Sequence, residues 1–357
     1  MRQIEIHLMD ANSFLAKLKK HFLEAFNKKC ETSNVNENYN DLINNLQNFI
    51  NLLVEAIHSY CYFNYFPLFL KNQNLITKDN IKQFTITHVF NEDKLFKLLY
   101  NENIKMNSFI ENALSKKYDL ISDWKIEDFC ISKKFLLNMQ TIDYLQANNK
   151  ISETKSNITE DPIIIDIDSP NRQIIQLVNE SFIRNNVDVN SFSSLNDGKH
   201  DDSNYNQYKI MKKTLILSKK NCVNLGSKEQ TNPTIFGSSI NKLKKISDYQ
   251  SPIHKLKTII ETAADIMCNI KNFYEKNGFE FDGIIESDEI MCIFIYICSK
   301  AQIPFLYSQC TLIESFLSQN HSNSISGYYL VTLKACLLCI AEENFILNFN
   351  KEVLGNC

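Results

Sequence analysis

The stretch Ile290–Cys298, IMCIFIYIC, carries no charge and scarcely a polar atom. It is too short for a bilayer, which takes ~20 apolar residues, so it has to be buried in protein. Its β-branched residues leave helix and strand both open on pattern alone. Helical surroundings decide for a helix, with Ser287 as N-cap, Asp288 and Glu289 in the first turn, and Pro304 ending the segment. A helix apolar on every side belongs at the centre of a fold. A second such run follows, Gly327–Leu347, GYYLVTLKACLLCIAEENFIL, with Thr332 and Lys334 near its start. The two are expected to pack side by side and to present their polar N-terminal ends to solvent.

The rest of the chain also reads as helical. With only 7 Gly and 6 Pro in 357 residues, a turn-rich sheet is disfavoured. Leu42, Ile43, Leu46, Phe49, Ile50, Leu53 and Ile57 fall at steps of three and four along one face of a long helix. Phe14, Leu15, Leu18, Phe22 and Phe26 mark an earlier helix, and shorter ones are expected around 94–99 and 106–118. The aromatic cluster Tyr60, Tyr62, Phe63, Tyr65, Phe66 and Phe69 reads as bundle core rather than as a binding groove. Ser251 and Pro252 form a helix start, as N-cap and first helical residue. Leu256, Ile259, Ile260, Ala263, Met267, Ile270 and Phe273 then mark a buried face, and Asn277–Gly278 closes the helix.

Between these regions the texture changes. From about Gln146 to about Thr234, Asn, Ser, Asp and Lys displace the periodic apolar residues, as in SFSSLNDGKHDDSNYNQY. Such a segment cannot bury enough surface to offset chain entropy and is expected to be a mostly disordered insertion. Within it, Pro162–Asp168 (PIIIDID) has the look of a short strand or docking peptide, and Tyr208–Lys220 of a basic surface helix; solvated linker is the simpler reading of both.

Several function classes are disfavoured. A formal net charge of −3 offers no nucleic-acid footprint. No phosphate-cradling glycine motif occurs, so no nucleotide cofactor is expected. The lone pair Cys336-x-x-Cys339 lies in an apolar run and is a poor zinc or redox candidate, so no metal site is expected. The seven His are scattered, and covalent catalysis has no support. The 11 Cys, several inside apolar runs (Cys292, Cys298, Cys336, Cys339), read as reduced, buried small hydrophobes. The N-terminus lacks the apolar core of a signal peptide. The window Leu53–Leu70 contains Glu55, His58, Asn64 and Pro67, so no transmembrane segment is expected. A cytoplasmic protein is the expectation.

Four features occur in one order: KISDYQSPIHKLKTI, SDEIMCIFIYICSKAQIP, LYSQCTLIESFL and GYYLVTLKACLLCIAEE. Together they resemble the catalytic domain of the vacuolar protein sorting nine family, exchange factors for Rab GTPases of the Rab-five group. The family pattern is approximately S/T-P-x-x-K-L, then A-D-(D/E)-h-h-P-h-h-I-Y-h-h-h-K-A with a following Pro, then G-Y-Y-h-T-N-h, where h is apolar. The resemblance covers Lys245–Glu343, and NSFIENALSKKYDLISDWKIEDFCIS is more weakly similar to the domain's first helices.

The resemblance implies an all-α, layered exchange-factor domain. An N-terminal helical bundle would occupy 1–100, the domain's first helices 101–145, the insertion 146–236 and the domain core 237–349. The two buried helices would form a groove for the switch regions of a GTPase. Asp288 aligns with the family's catalytic acidic finger, and Tyr328 with the first Tyr of the G-Y-Y motif. Val331, Cys292, Ile295 and Thr332 complete the implied GTPase-binding set. The family Pro is Cys292 here, and the family Thr is Val331, with Thr332 one place later. Tyr296, Lys300 and Pro304 match the pattern and are read as packing and helix-ending residues. The implied partner is a Rab-five-group GTPase in endosomal trafficking, with no nucleic acid, no cofactor and at most peripheral attachment to early endosomes. The alternatives are a non-catalytic module that binds a GTPase or trafficking partner, and a helical scaffold unrelated to GTPases.

Overall fold

The computed structural model describes residues 2–10, 12–32, 39–64, 77–155, 235–317 and 324–342. Every regular element among them is helical; no strand occurs. In chain order the helices are α1 (Arg2–Met9), α2 (Phe14–Thr32), α3 (Tyr39–Asn64), α4 (Lys78–Phe90), α5 (Asp93–Met106) and α6 (Ser108–Ile121). There follow α7 (Met139–Lys155), α8 (Gly237–Lys244), α9 (Pro252–Lys276), α10 (Ser287–Ala301), α11 (Leu306–Ser315) and α12 (Ile325–Ala341). Two short 3₁₀ turns, Ile126–Phe129 and Lys133–Phe135, separate α6 from α7. Helix α7 continues past Gln146. The Pro162–Asp168 and Tyr208–Lys220 stretches lie outside the described residues.

The helices form two units. One comprises Met1–Phe109, Ile246–Lys257 and Phe305–Ser318. Its core is the expected stripe of α3, with Leu42, Ile43, Leu46, Phe49, Ile50, Leu53 and Ile57 all buried. Phe22 of α2 stacks on Phe49, ring centroids 3.5 Å apart. Gln47 donates its side-chain amide to the Ser315 carbonyl, and Asn103 of α5 donates to the Ser308 carbonyl at 2.5 Å. Lys255 is 1% exposed in this unit, and burial pushes its ammonium down to about 8. It donates to Gln309 Oε1 at 2.6 Å and to the Ile246 carbonyl at 2.8 Å, so its polar tip is hydrogen-bonded although buried.

The aromatic cluster at the end of α3 departs from expectation. Tyr60 packs against the core, but Tyr62 is exposed and Phe63 is 79% exposed. Consecutive residues turn by about 100° on a helix, so a run of aromatics cannot all face one way. Tyr65, Phe66 and Phe69 lie outside the described residues.

The other unit comprises Ile110–Lys245, Thr258–Pro304 and Gln319–Cys357. Pro252 is the first residue of α9, and the helix closes as expected. Gly278 has φ +78°, and the Phe279 N–H reaches back to the Tyr274 carbonyl at 2.9 Å. The buried face departs from expectation at three positions: Ile260, Met267 and Phe273 are half-buried, while Ile266 and Tyr274 are buried. Asp265 ties α8 to α9 by accepting from Ser238 at 2.6 Å, Ser239 at 2.8 Å and Lys242 at 2.8 Å. Burial alone would raise its pKa, but these donors outweigh burial and hold it below the usual carboxylate value.

Cys61, Cys130, Cys292, Cys298, Cys310, Cys336 and Cys339 are thiols outside any disulfide. Cys268 corrects the expectation of uniformly reduced thiols, because it is disulfide-bonded. Among the described residues no helix is long and apolar enough to cross a membrane.

Candidate functional site

The two all-apolar helices do meet. Helices α10 and α12 pack on each other, with the Cys336 thiol at 3.5 Å from the Met291 carbonyl and the Phe294 and Tyr329 ring centroids 6.4 Å apart. An advance along α10 is therefore a retreat along α12. Ile293, Phe294, Ile295, Ile297 and Cys298 are fully buried, as are Leu333, Cys336 and Leu337. Burial pushes the Cys336 thiol far above its ordinary value, leaving it an inert packing group.

Polar groups fix α10 at its flanks. Lys300 donates to the carbonyls of Ser122 and Trp124 at 2.7 and 2.5 Å. The Tyr296 ring packs edge-on against Phe129 at 5.4 Å. These two residues are packing groups, as expected. The helix stops at Gln302, in the left-handed region at φ 48°, with its N–H on the Cys298 carbonyl.

The head of α10 separates the two acids read together in the sequence. Its N-cap is Glu286, one residue before the expected Ser287. Glu289 is buried and uses both carboxylate oxygens: Oε1 pairs with Lys134 Nζ at 2.8 Å, and Oε2 accepts the Glu286 N–H at 3.1 Å. Burial pushes the Glu289 pKa up, although Lys134 and the backbone donor pull it down. Asp288 is half-buried and forms no hydrogen bond or ion pair with any described residue. Capping thus falls to the Glu286–Glu289 pair, and among the described residues Asp288 is left over at the end of a helix whose dipole favours negative charge.

Helix α12 begins at an N-cap, Ser324, whose hydroxyl accepts the Ser326 N–H at 3.2 Å. Tyr328 is half-buried, and its hydroxyl oxygen is enclosed without a hydrogen-bond partner among the described residues. Such a group costs about 1–3 kcal/mol until something bonds it. Val331 is 45% exposed.

The remaining candidates lie inside. Cys292 is 1% exposed, Ile295 is fully buried, and Thr332 is buried with its hydroxyl on the Tyr328 carbonyl at 2.8 Å. Cys292, where the resembled pattern has Pro, is therefore a core residue, whereas Val331, where it has Thr, is on the surface. Sequence reasoning missed the Lys134–Glu289 pair. The Glu286/Glu289 spacing was a visible capping signal, but nothing in the sequence points to Lys134. Among the described residues no cluster of three His, Cys, Asp or Glu is placed to hold a metal.

Residues 236–345 match the family model described as "Vacuolar sorting protein 9 (VPS9) domain". Alsin from Rattus norvegicus is 28% identical over 113 residues, which is 32% of this chain and 6% of that protein. Alsin from Homo sapiens is 28% identical over 123 residues, 33% of this chain and 7% of that protein. The chain thus matches only a small fraction of these relatives' length.

Proposed function

We propose that this chain, whose residues 236–345 match the VPS9 domain, is a guanine-nucleotide exchange factor for a Rab GTPase, of the Rab-five group. One observation carries the reading at the level of a residue: Asp288 stands partly exposed at the head of a buried helix, with no hydrogen bond or ion pair among the described residues, while its neighbour Glu289 closes the capping box with Glu286. In the GTPase, a P-loop Lys and Mg²⁺ hold the nucleotide's phosphates. A carboxylate brought there pairs with that Lys, crowds the Mg²⁺ and repels the phosphate. GDP leaves, and the empty GTPase takes up whichever nucleotide is abundant. The step makes and breaks no covalent bond, and each tenfold acceleration needs about 1.4 kcal/mol off the release barrier.

The exposed Val331 and the half-buried Tyr328, with its unbonded hydroxyl, supply docking contacts to the switch regions. Buried Cys292, Ile295 and Thr332 act by shaping the groove from beneath. The protein works in the cytoplasm and is recruited to early endosomes, without spanning the membrane.

The test is release of a fluorescent GDP analogue from a panel of Rab GTPases, with the wild type and with Asp288→Ala. Acceleration for a Rab-five-type member, lost in the variant, is the expected result. Binding to a panel member without acceleration would instead favour the non-catalytic module. Val331→Thr, the surface departure from the family pattern, would then be the first restoration to try.

A further inference from the structure

We propose that Lys134 is a positioning residue for Asp288, acting through Glu289. The inference rests on the exchange reading above and deepens it. Asp288 and Glu289 are consecutive, so their side chains leave α10 about 100° apart. Whatever fixes the direction of one fixes that of the other.

Glu289 is held at two points on two elements. One oxygen takes the N–H of Glu286, which closes the first turn of α10, and the other takes the ammonium of Lys134 at 2.8 Å. Lys134 lies in a 3₁₀ turn, far away in sequence, and is itself braced. Its carbonyl accepts from the Tyr274 hydroxyl of α9 at 2.9 Å, and the neighbouring Lys133 carbonyl accepts from the Thr141 hydroxyl at 2.7 Å. The next side chain, Phe135, is anchored at 1% exposure, with the Lys134 ammonium 4.9 Å from its ring centroid.

The ion pair is therefore a bracket from a rigid turn to the first turn of α10. A solvent-exposed pair would do little, since flexible side chains and water cancel most of its gain. This one keeps its carboxylate almost wholly buried, where a lost partner leaves an uncompensated charge. The first turn would then re-form around a Glu289 that seeks water, and Asp288 would swing with it. An acid that must enter another protein's phosphate site tolerates little misplacement, because errors on the order of 1 Å cost up to about a hundredfold in rate.

The experiment uses the full chain and a Rab-five-group GTPase loaded with a fluorescent GDP analogue. Two quantities are read: the release rate at saturating exchange factor, and the affinity for the GDP-loaded GTPase, taken from the exchange-factor concentration that gives half-maximal release. Lys134→Met and Glu289→Gln are each expected to slow saturated release about tenfold while leaving the affinity within about twofold. Lys134→Arg, which restores the charge, is expected to recover most of the rate. A Lys134→Met protein that releases GDP as fast as the wild type overturns the proposal. So does a parallel loss of rate and affinity in both variants, which marks the pair as a fold contact only. If the wild type itself accelerates nothing, the exchange reading falls and takes this inference with it. That outcome is distinct from a wild type that works and a Lys134→Met variant that works equally well.

Discussion

Helix α3 and helix α10 are both long apolar helices, and they use that character differently. In α3 the buried residues follow one stripe, so that Leu53 is 1% exposed while the adjacent Leu52 is 68% exposed. In α10 three consecutive residues, Ile293, Phe294 and Ile295, are all fully buried. A one-sided pattern states which way its helix faces. An all-round pattern states only that the helix is inside. Its rotation is then set by the few polar groups at its ends and flanks: Glu289 to Lys134, Lys300 to the carbonyls after α6, and the rings around Tyr296. The direction in which Asp288 leaves the helix depends on these, and not on the apolar residues that bury it.

The contrast is open to direct attack. The largest effect is expected in α10, where Phe294→Ala should cost about 3–5 kcal/mol in urea unfolding. Ile293→Ala and Ile295→Ala should follow at about 2–5 kcal/mol each, leaving that stretch without a silent side. A neutral substitution among the three would show that α10 is one-sided after all. In α3 the same scan should alternate: Leu53→Ala about 2–5 kcal/mol, Leu52→Ala within about 0.5 kcal/mol.

The buried cation at the start of α9 gives a pH signature. Lys255 falls to about 8 when folded, against an ordinary 10.5. Between those values the unfolded chain binds more protons than the folded one, so stability rises with pH across that window. The rise attributable to Lys255 is on the order of 3 kcal/mol. The wild-type-minus-Lys255→Met difference in unfolding free energy should carry that slope from pH 8 to 10.5; a flat difference would show the ammonium to be less enclosed. The smallest expected effects are at the caps. Thr77 caps α4 by accepting from Asn80 N–H, and Ser324 caps α12. Alanine at either should cost about 1 kcal/mol in thermal unfolding, since ends obey the same chemistry in both kinds of helix.

The face of α3 was readable from its period, that of α9 only in part. The stripe of α3, the Ser251–Pro252 start and the Gly278 stop of α9 all stand as the sequence reads, because each depends on local spacing and backbone conformation. Composition places the run of aromatics at the end of α3 in the core, yet Tyr62 and Phe63 face outward, because helical rotation does not let consecutive residues face one way. The cap of α10 shifted by one residue because two acids and a Ser offer competing acceptors within one turn. Of the candidate site, the family resemblance implied Asp288, Tyr328, Val331, Cys292, Ile295 and Thr332; the first three reach the surface at least in part, and the last three are buried.

By itself the sequence determined that the described chain is helical, that α10 and α12 are central, and that an acid sits at the head of α10. Those follow from periodicity, from the cost of exposing apolar surface, and from the preferences of helix ends. Only the tertiary structure decided which of the two acids is bound and which is left over. It also placed Cys292, Ile295 and Thr332 inside, and brought Lys134 to Glu289. Such outcomes come from contacts between residues far apart in the chain, whose energies exist only once the helices have packed and which therefore leave no period or motif to read.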